Sequence, residues 1–267
     1  MKIYDKNNIV QQCIAEFLGT GLIMFFGFGA TISSCLTNSN LNYWDVSCIW
    51  GIGVSLSIYL SSSISGAHLN PAITLFLWLS SKFNKKKVLP YIFSQISGSF
   101  FFTMLIYYFY YKMFISFNNI HPIIPILKKN INIISVFIPS FHKNTFFLYN
   151  FSLEIITSSI FMIFLMTLNN KKKYFLYYEL ISPLLIGILI LAINISVGFS
   201  HNITLNPARD IGPKLFLIFI GISNLVCLKD INNILFFLIP TIGSIIGINL
   251  GGWLYNTFII ENKKSNI

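Results

Sequence analysis

Leu69-Asn70-Pro71-Ala72 recurs as Leu205-Asn206-Pro207-Ala208, and the match extends well beyond the tetrapeptide. Gly51 lies 19 residues before Asn70, and Gly187 lies 19 before Asn206. Glu16 precedes the first asparagine by 54 residues and Glu154 precedes the second by 52. Each half therefore reads as helix, helix, Asn-Pro-Ala segment, helix. Asparagine is a favoured N-cap, and proline belongs in the first helical turn, where its missing N–H has no partner to lose. The residue before proline resists the α region. Asn70 and Asn206 thus each start a helix. The apolar runs that follow, Ile73 to Ser80 and Asp210 to Ile220, are too short to cross a bilayer.

Around these segments lie six apolar runs of about 20 residues or more, the length a spanning helix needs. They are Val10–Leu36, Tyr43–Ile64, Val88–Lys112, Phe146–Leu168, Leu180–Phe199 and Ile234–Ile259. The composition agrees, at 55% hydrophobic and 10% charged, where about a quarter of a soluble domain is charged. Residues 1–267 read as one all-α membrane domain with six transmembrane helices and two re-entrant half-helices. The two repeats cover about 9–112 and 146–260. Three spans per half is an odd number, so the second half enters the membrane inverted. Such 3+3 repeats place the working site at mid-membrane, between discontinuous helices.

A net charge of +10 would suggest nucleic acid in a soluble protein, but the placement of the lysines says otherwise. Lys2 and Lys6 sit at one terminus, Lys263 and Lys264 at the other. Lys82, Lys85, Lys86 and Lys87 follow one apolar run, and Lys171, Lys172 and Lys173 another. With both termini cytoplasmic, these eleven of the 18 basic residues lie inside, and the outer loop Thr37 to Asn42 carries none. That is the positive-inside pattern, with a lipid headgroup site as the alternative use of the lysines. No nucleic-acid partner is expected. Cys13, Cys35, Cys48 and Cys227 form no CxxC pair, and the first three, in or near apolar helices, read as small buried side chains. The N-terminal apolar run is too long for a cleaved signal and contains Glu16. No nucleophile–base pair, His-Glu-x-x-His or carboxylate cluster appears, so neither an enzyme nor a metal or cofactor site is expected.

The inverted halves bring two helix N-termini together, each carrying about half a positive charge. They repel cations while the amides of Asn70 and Asn206 donate to a passing oxygen. Irregular backbone leads into each half-helix, and at membrane depth such backbone must line a cavity or be buried in protein. The carbonyls of Gly66, Ala67, His68, Asn202, Ile203 and Thr204 are therefore expected to form a ladder of acceptors. Arg209 has five donors and no acceptor, and an intramembrane cation is a functional candidate; the alternative is a salt bridge to Asp210. Glu16 and Glu154 either accept backbone N–H groups of the re-entrant loops or bind ions. His68 either packs neutral or titrates. His201 reads as a loop residue, and Gly243, Gly247 and Gly251 mark a close helix contact.

Three stretches resemble the major intrinsic proteins: Gln12-Cys13-Ile14-Ala15-Glu16-Phe17-Leu18-Gly19-Thr20-Gly21, Ser65-Gly66-Ala67-His68-Leu69-Asn70-Pro71-Ala72, and Asn206-Pro207-Ala208-Arg209-Asp210-Ile211-Gly212-Pro213-Lys214. The resemblance is closest to their bacterial glycerol facilitators and runs from about Cys13 to Tyr255. It implies a homotetramer in a bacterial inner membrane, with one pore per subunit and no cofactor. Glycerol or another small neutral solute, such as urea or water, would flow down its gradient. It also implies a constriction of four positions. Trp50 and Arg209 match the facilitator pattern, whereas Asn194 stands where that pattern has glycine and Ile203 where it has phenylalanine. Asp210 resembles the glycerol-conducting branch and is expected, with Glu16 and Glu154, to support the loops. The competing reading is a secondary transporter coupled to an ion or proton, for which Glu16, His68 and Glu154 are the candidate sites.

Overall fold

A computed structural model describes residues 8–37, 39–120, 136–138, 147–170, 177–198, 203–221 and 231–259, with backbone alone at 116–120 and 231–237. Expectations for Asn202, His201, Cys227, Lys171 to Lys173 and the terminal lysines fall outside these residues.

α1 (Ile9–Leu36) begins at Asn8, whose side chain accepts from the Val10 N–H. α2 (Tyr43–Ser65) begins with a capping box in which Asn42 and Asp45 bond each other's backbone. It ends at Gly66, whose left-handed φ of 88° turns the chain back into the membrane. The half-helix α3 (Pro71–Leu79) follows, then the long α4 (Lys85–Ile120). The second half repeats this order: α5 (Phe147–Asn170), α6 (Tyr178–Ile193) with a π-turn extension over Asn194–Gly198, the half-helix α7 (Pro207–Phe219), and α8 (Ile231–Leu254). Six helices among the described residues are long and apolar enough to span a bilayer. The chain is an all-helical, multi-pass membrane protein with two half-helices set among its spans.

Without water to drive apolar surfaces together, helices in lipid associate through close van der Waals packing and small residues. Those small residues are where the repeat places them. A Cβ on Gly51 would lie 2.5 Å from the Gly187 carbonyl oxygen, and one on Gly187 would lie 2.4 Å from that of Gly51. The two glycines, equidistant from their Asn-Pro-Ala segments, thus face each other where α2 crosses α6. In the same way Gly247 and Gly251 on α8 press against the Ile155 and Ser159 backbone of α5.

α1 packs on α4 and α2, and α5 packs on α8 in the matching way. The half-helices exchange partners. Phe216 and Leu217 of α7 are buried among Met24, Phe28 and Ile32 of α1. Ile73 and Phe76 of α3 are buried among Phe161 and Met162 of α5 and Ile248 of α8. Each short helix is therefore wedged into the other half of the molecule as well as packed on its own. Outward-facing Leu89, Phe93, Ile156, Ile188 and Phe219 are exposed, as a lipid-facing surface requires.

Candidate channel site

The two half-helices meet tip to tip through a reciprocal pair of hydrogen bonds. Asn70 Nδ2 donates to the Leu205 carbonyl and Asn206 Nδ2 donates to the Leu69 carbonyl, both at 2.8 Å. Each Asn Oδ1 accepts the first N–H of its own helix, from the second helical residue, Ala72 or Ala208, both at 2.9 Å. An Asn amide has two N–H donors, so this arrangement commits one donor of each residue. Leu69 and Leu205, just before each asparagine, both adopt left-handed backbone, with φ of 50° and 58°. Such conformations cost about 1–2 kcal/mol in a residue with a side chain and persist only where the surroundings impose them.

The buried glutamates impose them. Glu16 Oε1 accepts from Ser65 Oγ at 2.6 Å and the His68 N–H at 2.9 Å. Its Oε2 accepts from the Leu69 N–H and from Gln95 Nε2, both at 2.7 Å. Glu154 takes the equivalent N–H groups of the other loop, from Thr204 at 3.1 Å and Leu205 at 2.7 Å. Each is the eighth residue of its helix, and both carboxylates have their two oxygens engaged. His68 Nδ1 lies 3.1 Å from Thr74 Oγ1, and its ring packs on Phe83 and Tyr91.

A continuous cavity of about 770 Å³ passes this junction. Its lining runs from Cys35, Asn42 and Tyr43, at the end of α1 and the start of α2, to Ser63, Asn169 and Glu179, at the end of α2, the end of α5 and the start of α6. Asn70, Asn206, Trp50, Asn194, Ile203 and Arg209 all line it between, as do Gly66, Ala67, His68 and Thr204. The four positions expected at a constriction therefore all line one cavity, from three separate stretches of chain.

Arg209 sits over two aromatic rings, 5.4 Å from the Phe28 centroid and 5.6 Å from that of Trp50. Its Nη1 donates to the Phe137 carbonyl at 3.5 Å. Trp50 is steadied in turn by a 3.4 Å bond from Nε1 to Thr31 Oγ1. The salt bridge to Asp210 weighed from the sequence is not the one formed. Asp210 Oδ2 accepts from Lys214 Nζ at 2.7 Å and from Thr241 Oγ1 at 2.6 Å. These bonds tie α7 to itself and to α8, so Asp210 braces the half-helix while the glutamates hold the loop backbone.

Sequence reasoning missed Phe28, Gln95 and Phe137. Gln95 bridges Glu16 and Thr74, with 2.7 and 3.0 Å bonds from Nε2. A polar residue in an apolar run is a signal that could have found it. Phe137 acts through a backbone carbonyl, which every residue possesses, and nothing in its sequence marks it.

Comparison with known proteins agrees with this architecture. Residues 4–255 match the major intrinsic protein family. The glycerol uptake facilitator protein of Buchnera aphidicola (from Acyrthosiphon pisum) is 48% identical over 260 residues, covering 97% of this chain and 99% of its own. That of Escherichia coli is 39% identical over 258 residues, covering 96% and 90%. The X-ray structure of the aquaglyceroporin from Plasmodium falciparum superposes with a TM-score of 0.79 at 29% identity, covering 94% of this chain and 97% of that one. Motifs, inverted architecture and relatives converge, and the chain belongs to the major intrinsic protein family.

Proposed function

We propose that the protein is a passive channel that conducts glycerol and other small neutral solutes, with some water, and excludes ions and protons. The observation that carries this reading is the junction of the half-helices on a continuous cavity. Each asparagine there keeps a second N–H donor for a passing oxygen, beside two helix N-termini that repel cations. The relatives' names supply the solute. Trp50, Asn194, Ile203 and Arg209 form the selectivity filter: Trp50 and Ile203 give an apolar wall for the carbon backbone, and Arg209 and Asn194 give donors for the hydroxyls. Carbonyls of Gly66, Ala67, His68, Ile203 and Thr204 complete the path. Glu16, Glu154 and Asp210 hold these parts, and the two glutamates do not bind a coupling ion, since all four of their oxygens accept hydrogen bonds from the protein. The whole chain acts as one channel domain, assembled as a homotetramer in a bacterial inner membrane with both termini cytoplasmic. Stopped-flow light scattering of proteoliposomes tests the reading. Glycerol and urea gradients should dissipate while a sorbitol gradient persists; glycerol exclusion, or accumulation beyond equilibrium, would overturn it.

The two departures at the filter give a sharper expectation. Ile203 keeps its wall apolar without a flat ring, and Asn194 adds one acceptor and two donors where glycine offers none. The volume changes partly cancel and the polarity changes do not. Water, short of partners beside an apolar wall, gains some from the amide. The double variant Asn194→Gly with Ile203→Phe should therefore show a lower water-to-glycerol permeability ratio than the parent. An unchanged ratio would remove these positions from the filter.

A further inference from the structure

α6 does not simply stop at Ile193. It widens into a π-turn over Asn194–Gly198, a form common at functional sites. The Asn194 carbonyl accepts a 2.9 Å hydrogen bond from the Tyr43 hydroxyl, which comes from the opposite half of the chain. Tyr43 opens α2, and its backbone is fixed by the capping box around it: Asn42 Oδ1 accepts from the Trp44 and Asp45 N–H groups, and Asp45 accepts from that of Asn42. The hydroxyl has room because residue 198 is glycine. A Cβ there would lie 2.5 Å from Tyr43 Oη, 3.7 Å from Asn194 Oδ1 and 3.8 Å from Asn194 Cβ. One notch therefore holds both the tyrosine hydroxyl and the Asn194 amide, and all three residues line the cavity.

A π-turn interrupts the regular α-helical ladder, so a residue there is held less firmly by its own helix than one in an unbroken run. An external bond to its carbonyl then sets where its side chain stands. We infer that Tyr43 is a specificity-positioning residue of this channel, whose hydroxyl anchors the Asn194 backbone and so gives the Asn194 amide one orientation in the pore. The inference deepens the channel reading and rests on it. Tyr43 acts through Asn194, across the seam between the two inverted halves. An amide held in one orientation is a dependable partner for water. Released, it swings, and water loses more than a polyol that also bonds Arg209.

The test is the water-to-glycerol permeability ratio of Tyr43→Phe, which deletes only the hydroxyl. A ratio is independent of how many channels fold, so a merely structural defect would lower both fluxes and leave it alone. The loss of one neutral hydrogen bond corresponds to about a two- to tenfold change. The ratio should fall by that factor toward the value of Asn194→Gly. In the Asn194→Gly background, the same Tyr43→Phe substitution should change it by less than about twofold, because no amide remains to orient. Gly198→Ala reaches the contact from the other side, since its methyl needs the space of the hydroxyl, and should lower the ratio as well. An unchanged ratio in Tyr43→Phe, or an equal change with and without the Asn194 amide, would overturn the inference while leaving the channel reading intact. A parent protein impermeable to glycerol would overturn both.

Discussion

Arg209→Ala is expected to open the channel to larger solutes and to let cations and protons leak. The guanidinium lies against Phe28 and Trp50 and reaches the Phe137 carbonyl, so its removal empties the space between the α1–α2 aromatics and the segment at 136–138. It also removes a full positive charge from the passage. A unit charge at about 4 Å from a passing cation, in an effective dielectric of about 20, opposes it by about 4 kcal/mol, close to three decades in rate at about 1.4 kcal/mol per decade. The two half-helix dipoles remain, so the gain in leak should be smaller, on the order of ten- to a hundredfold. The variant should still fold, because Asp210 is neutralised by Lys214 and not by Arg209. Erythritol and sorbitol gradients measure the size limit, and a pH-sensitive dye inside the vesicles measures protons. A folded variant that excludes both as the parent does would show that Arg209 is no barrier.

Glu16→Ala should be the most damaging single substitution in the re-entrant loops, with Glu154→Ala next. Glu16 accepts four hydrogen bonds, two of them from the backbone N–H groups of His68 and Leu69. Glu154 accepts two. A buried donor left without its acceptor costs about 1–3 kcal/mol, so losing Glu154 costs about 2–6 kcal/mol and losing Glu16 more. That is comparable to the whole stability of many domains. The left-handed Leu69 and Leu205, no longer held, should relax and pull the asparagines out of register. Flux should fall together with thermal stability and yield. Glutamine is a poor rescue at either position, because its NH₂ must face a donor that the second carboxylate oxygen accepted. Differential scanning fluorimetry in detergent alongside glycerol flux gives the ranking. A stable Glu154→Ala channel with only a new pH dependence of transport would mean that the carboxylate couples an ion.

Much of this molecule follows from local rules. Asn-Pro is a helix start because proline has no N–H and asparagine caps, whatever lies around it. Both half-helices accordingly begin at the prolines. Long apolar runs must be helices in lipid, since backbone groups there have nowhere else to bond; the six spans appear close to their expected bounds, except that α4 runs on to Ile120, eight residues past the expected Lys112. The Asp210–Lys214 pair was also readable, as opposite charges four apart on one helix. The Arg209–Asp210 pair, adjacent in sequence, could not compete, because neighbouring residues on a helix point to different faces.

What the order of residues could not reveal was which distant groups would meet. Repeat spacing singled out Gly51 and Gly187, but only the packed structure puts their backbones against each other. Likewise the sequence determined that Asn70 and Asn206 are caps, while tertiary structure decided that each donates across the molecule to the leucine carbonyl of the other loop. The Phe137 carbonyl under Arg209 and the Tyr43 hydroxyl on Asn194 belong to the same class. The physical reason is common to all of them. Periodicity, caps and charge spacing act over one or two turns and leave a mark in the local sequence. A contact spanning 70 to 150 residues, made to a backbone acceptor that every residue carries, leaves none until the inverted halves have closed on each other.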